Sequence, residues 1–407
     1  MARAWPLLLA LILLPSCGQP APAARQSSPA AANRSTAPPS QTSSSPASTP
    51  LPTLPFLADA EVPAEVERPQ ISCNGPIGAT DAVVLAQIGD QRVLRDYADA
   101  DHPRNVCTLS GLPPAQLIDS QHLAFDVTAD RGEFWVVVDL PRVVTHWFQM
   151  PTKPVVLGVT YAPRFLGFSP RLDAVVWRIF DPSTSNDNYH LTTAAGDQLV
   201  TTLPSSVPGR CGSPEDSKDA GFASAEGLYF VIDHQDASKR SLAVVRNGQP
   251  LLRLLPDSGG WQSGTDGPNM ALWSPTSDRL YYRQSGDVWT WAPGSSPSRF
   301  LPGVSWYYPT ISADGRHLAY SVLRPDGLHD VYLADLGAGT PPVKIGPARN
   351  LPMFLNANQL WYRSEGRGGC GPSGDKPLIY DLRDGIESAG LIDNPIGAWP
   401  ATSGWGV

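Results

Sequence analysis

A short segment at residues 309–336 constrains the fold most strongly, because it joins two strand patterns through a tight turn. The Asp-Gly pair at 314–315 supplies the left-handed backbone that such a turn needs. Leu318 and Tyr320 then alternate with small residues, as expected for a strand with two faces. A second β-rich run, from Asp330 to Leu336, ends at a glycine-rich turn. The segment therefore predicts an antiparallel pair of strands.

Weaker copies of this unit recur along the chain, each with a turn that leads into an apolar run. The equivalent turn positions are spaced 49, 55, 50, 38 and 44 residues apart and are Ser120, Ser169, Ser224, Ser274, Ser312 and Asn356. One blade of a β-propeller takes about 40–50 residues. The 43 prolines and 36 glycines also disfavour helix. The spacing therefore predicts an all-β chain folded as a β-propeller.

The unit at 309–336 resembles the TolB-type propeller repeat, which is related to WD-type repeats. That repeat has a Ser-Pro-Asp-Gly-like turn, an apolar strand, and a further strand that ends in Asp-Leu. The resemblance covers roughly residues 77–405 and is carried best by 309–336. It implies a propeller that binds partners in the bacterial envelope. The separate N-terminal α/β domain of TolB proteins has no counterpart in this sequence.

Seven blades are predicted, and six blades are the alternative. Six blade starts are visible in the repeats, and strand-like runs at 82–85 and 92–94 imply a further blade near the N-terminus. That blade lacks a preceding first strand of its own, whereas the C-terminus offers one at residues 399–403. We therefore expect the last strand to pair with the N-terminal blade and close the ring, which leaves only short protected edges.

The first 16 residues have the pattern of a secretory signal peptide. Residues 7–14 form an apolar run that is too short to span a bilayer, which takes about 20 residues. Residues 14–17 read Leu-Pro-Ser-Cys and resemble a bacterial lipobox, although proline is unusual at its second position. The resemblance implies that Cys17 is lipidated, which anchors the chain to a membrane and exposes it to the periplasm or the cell exterior. The alternative is an ordinary signal that is cleaved near residue 21 or 24.

A tether rich in Pro, Ala, Ser and Thr is predicted for residues 17–70, followed by the propeller domain at 71–407. A segment of this composition buries too little apolar surface to offset the entropy of ordering, so we expect it to be disordered. The predicted arrangement is a propeller held away from a membrane on a flexible linker.

The five cysteines fit an exported protein. Lipidation of Cys17 leaves Cys73, Cys107, Cys211 and Cys370, and an even number outside the cytoplasm indicates disulfides. Four cysteines allow three pairings. We favour Cys73–Cys107, within one predicted blade, and Cys211–Cys370, between two glycine-rich loops.

No motif for catalysis, a cofactor or a metal is present. The sequence has no HExxH, GxSxG, GxGxxG or Walker pattern, so no catalytic residue, cofactor or metal ligand is predicted. The net charge of −8 argues against a nucleic-acid partner, which needs clustered cations. Asn186-Asp187-Asn188 is interpreted as a hairpin loop, and the alternative is a calcium site.

Ligand binding is instead predicted where the loops that lead into the inner strands converge around one mouth of the channel. The candidate ligand-binding residues are Arg164, Asp219, Asn269, Trp306, Tyr307, Arg349 and Asn350. Trp289 and Trp291 share a strand face, so we expect them to pack between blades, with a sugar-stacking platform as the alternative.

These features favour a non-catalytic binding or scaffold module at the cell envelope, whose ligand is a protein, a glycan or a peptide. The alternative is a propeller hydrolase or lyase that acts on an envelope or extracellular polymer. That enzyme would need several acids or histidines gathered at the channel mouth.

Overall fold

The computed structural model describes most of the chain between residues 66 and 399. The described residues are 66–75, 77, 83–88, 90–97, 99, 102–111, 115–129, 132–149, 155–156, 159–160, 164–169, 172–204, 220–223, 229–235, 240–246, 251–255, 271–365, 376–390 and 395–399. Every regular element within them is a β-strand. No helix in this part of the chain is long and apolar enough to cross a membrane.

The described strands form seven blades of four or five antiparallel strands. Blade 1 contains β1 (Gln70–Cys73), β2 (Val83–Ile88), β3 (Gln91–Asp96), β4 (Arg104–Ser110) and the last strand, β31 (Pro395–Trp399). Blade 2 contains β5 (Gln116–Leu117), β6 (His122–Ala129), β7 (Gly132–Asp139) and β8 (Val144–Gln149). A short pair, β9 (Val155–Val156) and β10 (Val159–Thr160), lies between blades 2 and 3 in the sequence.

The remaining blades each contain four consecutive strands. Blade 3 contains β11 (Arg164–Phe168), β12 (Ala174–Asp181), β13 (Asn186–Thr193) and β14 (Gly196–Pro204), and blade 4 contains β15 (Ala220–Ala223), β16 (Tyr229–Gln235), β17 (Arg240–Arg246) and β18 (Leu252–Leu255). Blade 5 contains β19 (Ala271–Trp273), β20 (Leu280–Gln284), β21 (Asp287–Trp291) and β22 (Ser298–Leu301). Blade 6 contains β23 (Trp306–Ile311), β24 (His317–Leu323), β25 (His329–Asp335) and β26 (Val343–Pro347). Blade 7 contains β27 (Arg349–Phe354), β28 (Gln359–Ser364), β29 (Pro377–Asp381) and β30 (Glu387–Ala389).

Both faces of a blade are buried, because each blade is packed between two others. The four residues from Leu318 to Ser321 are all buried, although they point alternately to opposite faces of blade 6. Leu318 and Tyr320 contact blade 5, whereas Ala319 packs with residues of blade 7. The core is therefore a ring of apolar layers between blades, and the predicted seven-bladed all-β propeller is confirmed.

The repeated serines mark the turn that follows the inner strand of a blade. The backbone N–H of Ser312 donates to the carbonyl of His317 at 2.9 Å, and its hydroxyl accepts the N–H of His317 at 2.9 Å. Ser169 and Ser274 close their turns with equivalent backbone bonds, to Ala174 at 2.9 Å and Arg279 at 2.8 Å. Gly315 has a φ of +70°, the left-handed turn geometry predicted for the Asp-Gly pair. The sequence signature is thus a structural device for reversing the chain.

The C-terminal strand closes the ring, as predicted. β31 pairs antiparallel with β2, with Val83 opposite Trp399 and Val84 opposite Ala398. It occupies the inner position that the first strand takes in the other blades. The strand lies at 395–399 instead of the expected 399–403, and residues 400–407 are outside the described part.

One predicted disulfide is present. Cys73 in β1 is bonded to Cys107 in β4, and the two residues are direct partners in the strand register. The bond ties the extra outer strand of blade 1 to its neighbour and is typical of proteins that fold in an oxidising compartment. Cys17, Cys211 and Cys370 lie outside the described residues, so lipidation and the second disulfide stay predictions. The domain boundaries at 16, 17, 70 and 71 stay predictions as well.

One local interpretation was wrong. Asn186-Asp187-Asn188, interpreted as a hairpin loop, begins strand β13. The turn lies just before it, at residues 182–185. Asp187 is buried and its carboxylate lies 2.6 Å from the Nη1 atom of Arg178 in β12. The carboxylate is therefore part of an ion pair within blade 3.

Candidate functional site

The first strands of adjacent blades contact each other around the channel, as for β11 with β15, β23 with β27, and β31 with β5. Each first strand runs towards its serine turn, so its first residues lie at the opposite end. Because the strands of a blade alternate in direction, the hairpin between the second and third strands also lies at that end. We call this end the channel mouth.

The structure brings only some of the predicted ligand-binding residues to the surface of this mouth. Tyr307 and Asn350 are partly exposed there, at the starts of β23 and β27. Trp306 is 1% exposed and packs in the layer between blades 5 and 6, so it presents no ring to a ligand. Asp219 and Asn269 lie outside the described residues, as does the side chain of Arg164.

Arg349 is held inside blade 7. Its Nε and Nη2 atoms donate to the two carboxylate oxygens of Glu387 at 3.0 and 2.9 Å, and the phenol of Tyr362 donates to Glu387 at 2.7 Å. The hydrogen bond from Arg349 is the main cause that lowers the pKa of Glu387, and burial raises the pKa of Tyr362. This network joins the first, second and fourth strands of the blade, which is a structural role.

A group of six residues from three adjacent blades lies at the mouth, and we call it the tyrosine cluster. Its members are Arg283 of blade 5, Tyr307, Tyr308 and His329 of blade 6, and Asn350 and Glu365 of blade 7. Tyr307 and Asn350 were predicted, and the other four residues were missed by sequence reasoning.

A contact between His329 and Glu365 joins blades 6 and 7. The Nδ1 atom of His329 lies 2.8 Å from Oε1 of Glu365, and the backbone N–H of His329 donates to Oε2. The backbone N–H of Glu365 donates to the carbonyl of Ala348 at 2.8 Å, which holds the backbone of Glu365 against the segment between β26 and β27. Burial raises the pKa of Glu365, but the hydrogen bonds and charge of His329, with a hydrogen bond from Asn350, outweigh it and lower that pKa. The carboxylate is therefore ionised and held at neutral pH.

Tyr307 lies between a cation and an aromatic edge. The guanidinium carbon of Arg283 is 5.2 Å from the centre of the Tyr307 ring, and the ring of His329 meets it edge-on at 5.4 Å. Arg283 is itself buried, and its Nη1 atom donates to the carbonyl of Trp306 at 3.2 Å. These contacts hold one tyrosine ring at the mouth, in a cation–π geometry that adds about 0.5–2 kcal/mol.

Tyr308 is turned towards His329 by a bulge in β23. The register shifts by one residue between Tyr307 and Thr310, and Tyr308 has a φ of +49° immediately before Pro309. The same device occurs in blade 7, where Leu351 has a φ of +57° before Pro352. Bulky residues rarely adopt this conformation, and such strain concentrates at functional sites. The sequence signal that could have revealed these bulges is the residue-proline pair at equivalent positions of the two repeats, Tyr308-Pro309 and Leu351-Pro352.

The other expectations for chemistry concern metals and tryptophans. Within the described ranges, no group of three or more His, Cys, Asp or Glu side chains is arranged to hold a metal ion. Trp291 is buried between blades 4 and 5, and Trp289 packs partly buried against the same layer. Arg299 lies over the ring of Trp289 at 5.6 Å. The two tryptophans therefore pack between blades, as expected.

Comparison with solved structures finds other propeller proteins at low similarity. A prolyl endopeptidase is 14% identical with a TM-score of 0.47, and the match covers 76% of this chain but only 49% of that enzyme. TolB from Acinetobacter baumannii is 13% identical with a TM-score of 0.36, over 77% of this chain and 81% of TolB. An oligogalacturonate lyase in complex with manganese is 12% identical with a TM-score of 0.44, over 80% of this chain and 86% of the lyase.

This chain therefore spans about half the length of the prolyl endopeptidase. No protein-family model matches the sequence, and no curated protein matches it. Likeness at this level says nothing about activity, because one fold carries many functions. The propeller fold rests on the sheet topology and the closure of the ring by β31.

Proposed function

We propose that this protein is a non-catalytic binding module of the cell envelope, anchored to a membrane through a lipid on Cys17. The ligand binds at the tyrosine cluster. The observation that supports this proposal is the pair of part-exposed rings, Tyr307 and Tyr308, which both meet the ring of His329 edge-on at the channel mouth. Fixed aromatic rings with a few polar groups are typical of binding sites, and ordering them beforehand lowers the entropy lost on binding.

A propeller hydrolase or lyase is the second candidate. In its favour, the cluster contains one histidine and one carboxylate in contact, at the mouth where an enzyme would need them. Against it, Glu365 accepts two hydrogen bonds from His329 and one from Asn350, so its carboxylate is committed to holding two blades together. A general acid needs a raised pKa, whereas the pKa of Glu365 is lowered.

Replacing Tyr307 or Tyr308 with alanine should strongly reduce ligand capture by the immobilised full-length protein. The measurement is a pull-down from solubilised envelope fractions and from a set of glycans, with identification of what is retained. Each variant removes one ring of the site and leaves the layers between blades in place. A loss of about tenfold or more in retained ligand is expected, since aromatic rings that a ligand covers dominate binding energy.

The matched control is Tyr229→Ala. Tyr229 is also partly buried under an arginine, with Arg246 at 5.5 Å from its ring, but it begins β16 at the end of blade 4 opposite the mouth. Capture that survives in this variant and fails in the two mouth variants supports the site. Capture that is equal in all three variants would remove the site from the mouth.

Replacing Cys17 with alanine should move the protein from the membrane to the soluble fraction after export. The acyl chains are the expected anchor, and without them the acidic chain has no other attraction to an anionic surface. Fractionation with an antibody against the propeller measures the effect. Membrane association that persists in Cys17→Ala would contradict the anchor and leave the binding module as a separate question.

A further inference from the structure

Two hydroxyls of blade 6 are buried without a hydrogen bond to any residue that the structure describes. Thr310 and Ser321 are both 0% exposed, and neither Oγ1 of Thr310 nor Oγ of Ser321 has a hydrogen-bond partner among the described residues. Buried polar side-chain atoms are nearly always satisfied, because burial without a partner is unfavourable. An aliphatic side chain at either position would avoid this penalty.

The strand register places these hydroxyls beside the tyrosine cluster. Ser321 is directly opposite Tyr307, and Thr310 is opposite Ala319, two residues before Ser321. Residues opposite each other in an antiparallel pair point to the same face, so both hydroxyls share the blade face of Tyr307. His329 lies opposite Leu323, two residues beyond Ser321, and therefore also points to this face. Ser321 therefore lies beside Tyr307 on the neighbouring strand, and Thr310 lies further from the mouth along β23.

The charged groups of the cluster are engaged within the protein. Glu365 is bound by His329 and Asn350, and Arg283 donates to the carbonyl of Trp306 and stacks on Tyr307. A charged ligand would have to displace these contacts. The buried hydroxyls of Ser321 and Thr310, which can both donate and accept hydrogen bonds, lie next to these groups together with the aromatic rings.

The mouth also offers a poor template for an extended peptide. A peptide that adds to a sheet needs a regular row of backbone donors and acceptors along a free strand edge. Pro309 and Pro352 have no N–H, and the bulges beside them interrupt the register of β23 and β27. Both inner strands are therefore irregular at the point where a peptide would pair.

We propose that the tyrosine cluster binds a neutral saccharide. One sugar ring stacks on Tyr307, which keeps its contacts with Arg283 and His329. The hydroxyls of the sugar hydrogen-bond with Ser321 and Thr310 after other side chains of the seam rotate to open it. Side-chain rotation of this kind is common when ligands bind. Alternating apolar C–H faces and hydroxyls make a neutral sugar complementary to a ring placed next to unsatisfied hydroxyls. The inference rests on the proposed function and names the class of ligand.

The test is calorimetric titration of the purified full-length protein with cellohexaose, maltohexaose and chitohexaose as neutral probes and hexagalacturonate as an acidic probe. At least one neutral probe should bind, and the acidic probe should bind more weakly. Tyr307→Ala should weaken binding by about tenfold or more, whereas Tyr307→Phe, which keeps the ring, should change it by less than about threefold. Tyr229→Ala should have no effect.

The hydroxyl variants separate a role in binding from a role in folding. Ser321→Ala and Thr310→Val should each weaken saccharide binding by about three- to tenfold, while the melting temperature stays equal or rises, because an unsatisfied group is removed. Unchanged binding in both variants would overturn the role of the hydroxyls. If no saccharide binds but envelope capture is still lost in Tyr307→Ala, the ligand class is wrong and the binding module stands. If no saccharide binds and the unchanged protein also captures nothing from the envelope fractions, both proposals are wrong.

Discussion

Removal of residues 395–407 should destabilise the propeller by at least about 4 kcal/mol, because it deletes β31 and opens the ring. Four residue pairs join β31 to β2, and an antiparallel ladder of this length contains about four backbone hydrogen bonds. At about 1 kcal/mol for each bond, their loss alone destabilises the propeller by about 4 kcal/mol. Val84 and Leu85 in β2 are fully buried and belong to two different layers of the core. Their exposure adds to the loss.

Urea unfolding followed by tryptophan fluorescence measures this effect, with 12 tryptophans distributed along the chain as reporters. The matched control removes only residues 400–407 and leaves every residue that pairs with β2 in place. The longer deletion should lower the midpoint and broaden the transition, since the two open blades would unfold first. A midpoint equal to that of the control would show that closure by β31 adds nothing to stability.

Replacing Asp187 with alanine should lower the free energy of unfolding by about 3–5 kcal/mol. The carboxylate of Asp187 lies 2.6 Å from Nη1 of Arg178, and the two side chains are only 3% and 8% exposed. The substitution removes the carboxylate of Asp187 from the buried guanidinium of Arg178 in blade 3. Desolvation of that charge, and not the loss of one hydrogen bond, is the main cause of the expected effect.

The control for this prediction is the double variant Arg178→Met with Asp187→Leu. It removes both charges and fills the space with apolar atoms, so it should unfold within about 1–2 kcal/mol of the natural protein. The free energy of unfolding of Asp187→Asn should be intermediate, because the amide oxygen still accepts a hydrogen bond from Arg178. A cost below about 1 kcal/mol for Asp187→Ala would mean that water reaches Arg178 and that the pair is not truly buried.

The turns of the propeller could be predicted because their chemistry is local. Ser312, Asp314 and Gly315 lie within four residues of each other. The N–H of Gly315 donates to the carbonyl of Ser312, and the hydroxyl of Ser312 donates to the carboxylate of Asp314, so the signature can be recognised in a single repeat. The count of blades followed from the regular recurrence of that signature. The bounds of β31 were less accurate, because a terminal strand is defined by its partner and not by a turn of its own.

The candidate site was predicted only in part, because side-chain direction at the mouth depends on the bulges. Trp306 was expected to face a ligand, but it packs between two blades, whereas its neighbour Tyr307 reaches the mouth. Tyr308 was missed because one extra residue in β23 reverses the alternation of faces after it. His329 and Glu365 are separated by 36 residues, and only the docking of blade 7 on blade 6 brings them into contact.

From the sequence alone came the all-β repeat, the seven blades, the closing terminal strand and the Cys73–Cys107 bond. Each of these depends on short-range turn chemistry, on composition, or on spacing that is regular along the chain. The tertiary structure alone decided which residues of an inner strand point to the mouth, that Asp187 and Arg349 are used inside blades, and that three blades supply one cluster. The physical reason is that a blade has two buried faces, so packing against its neighbours, and not alternation in the sequence, determines the role of each side chain.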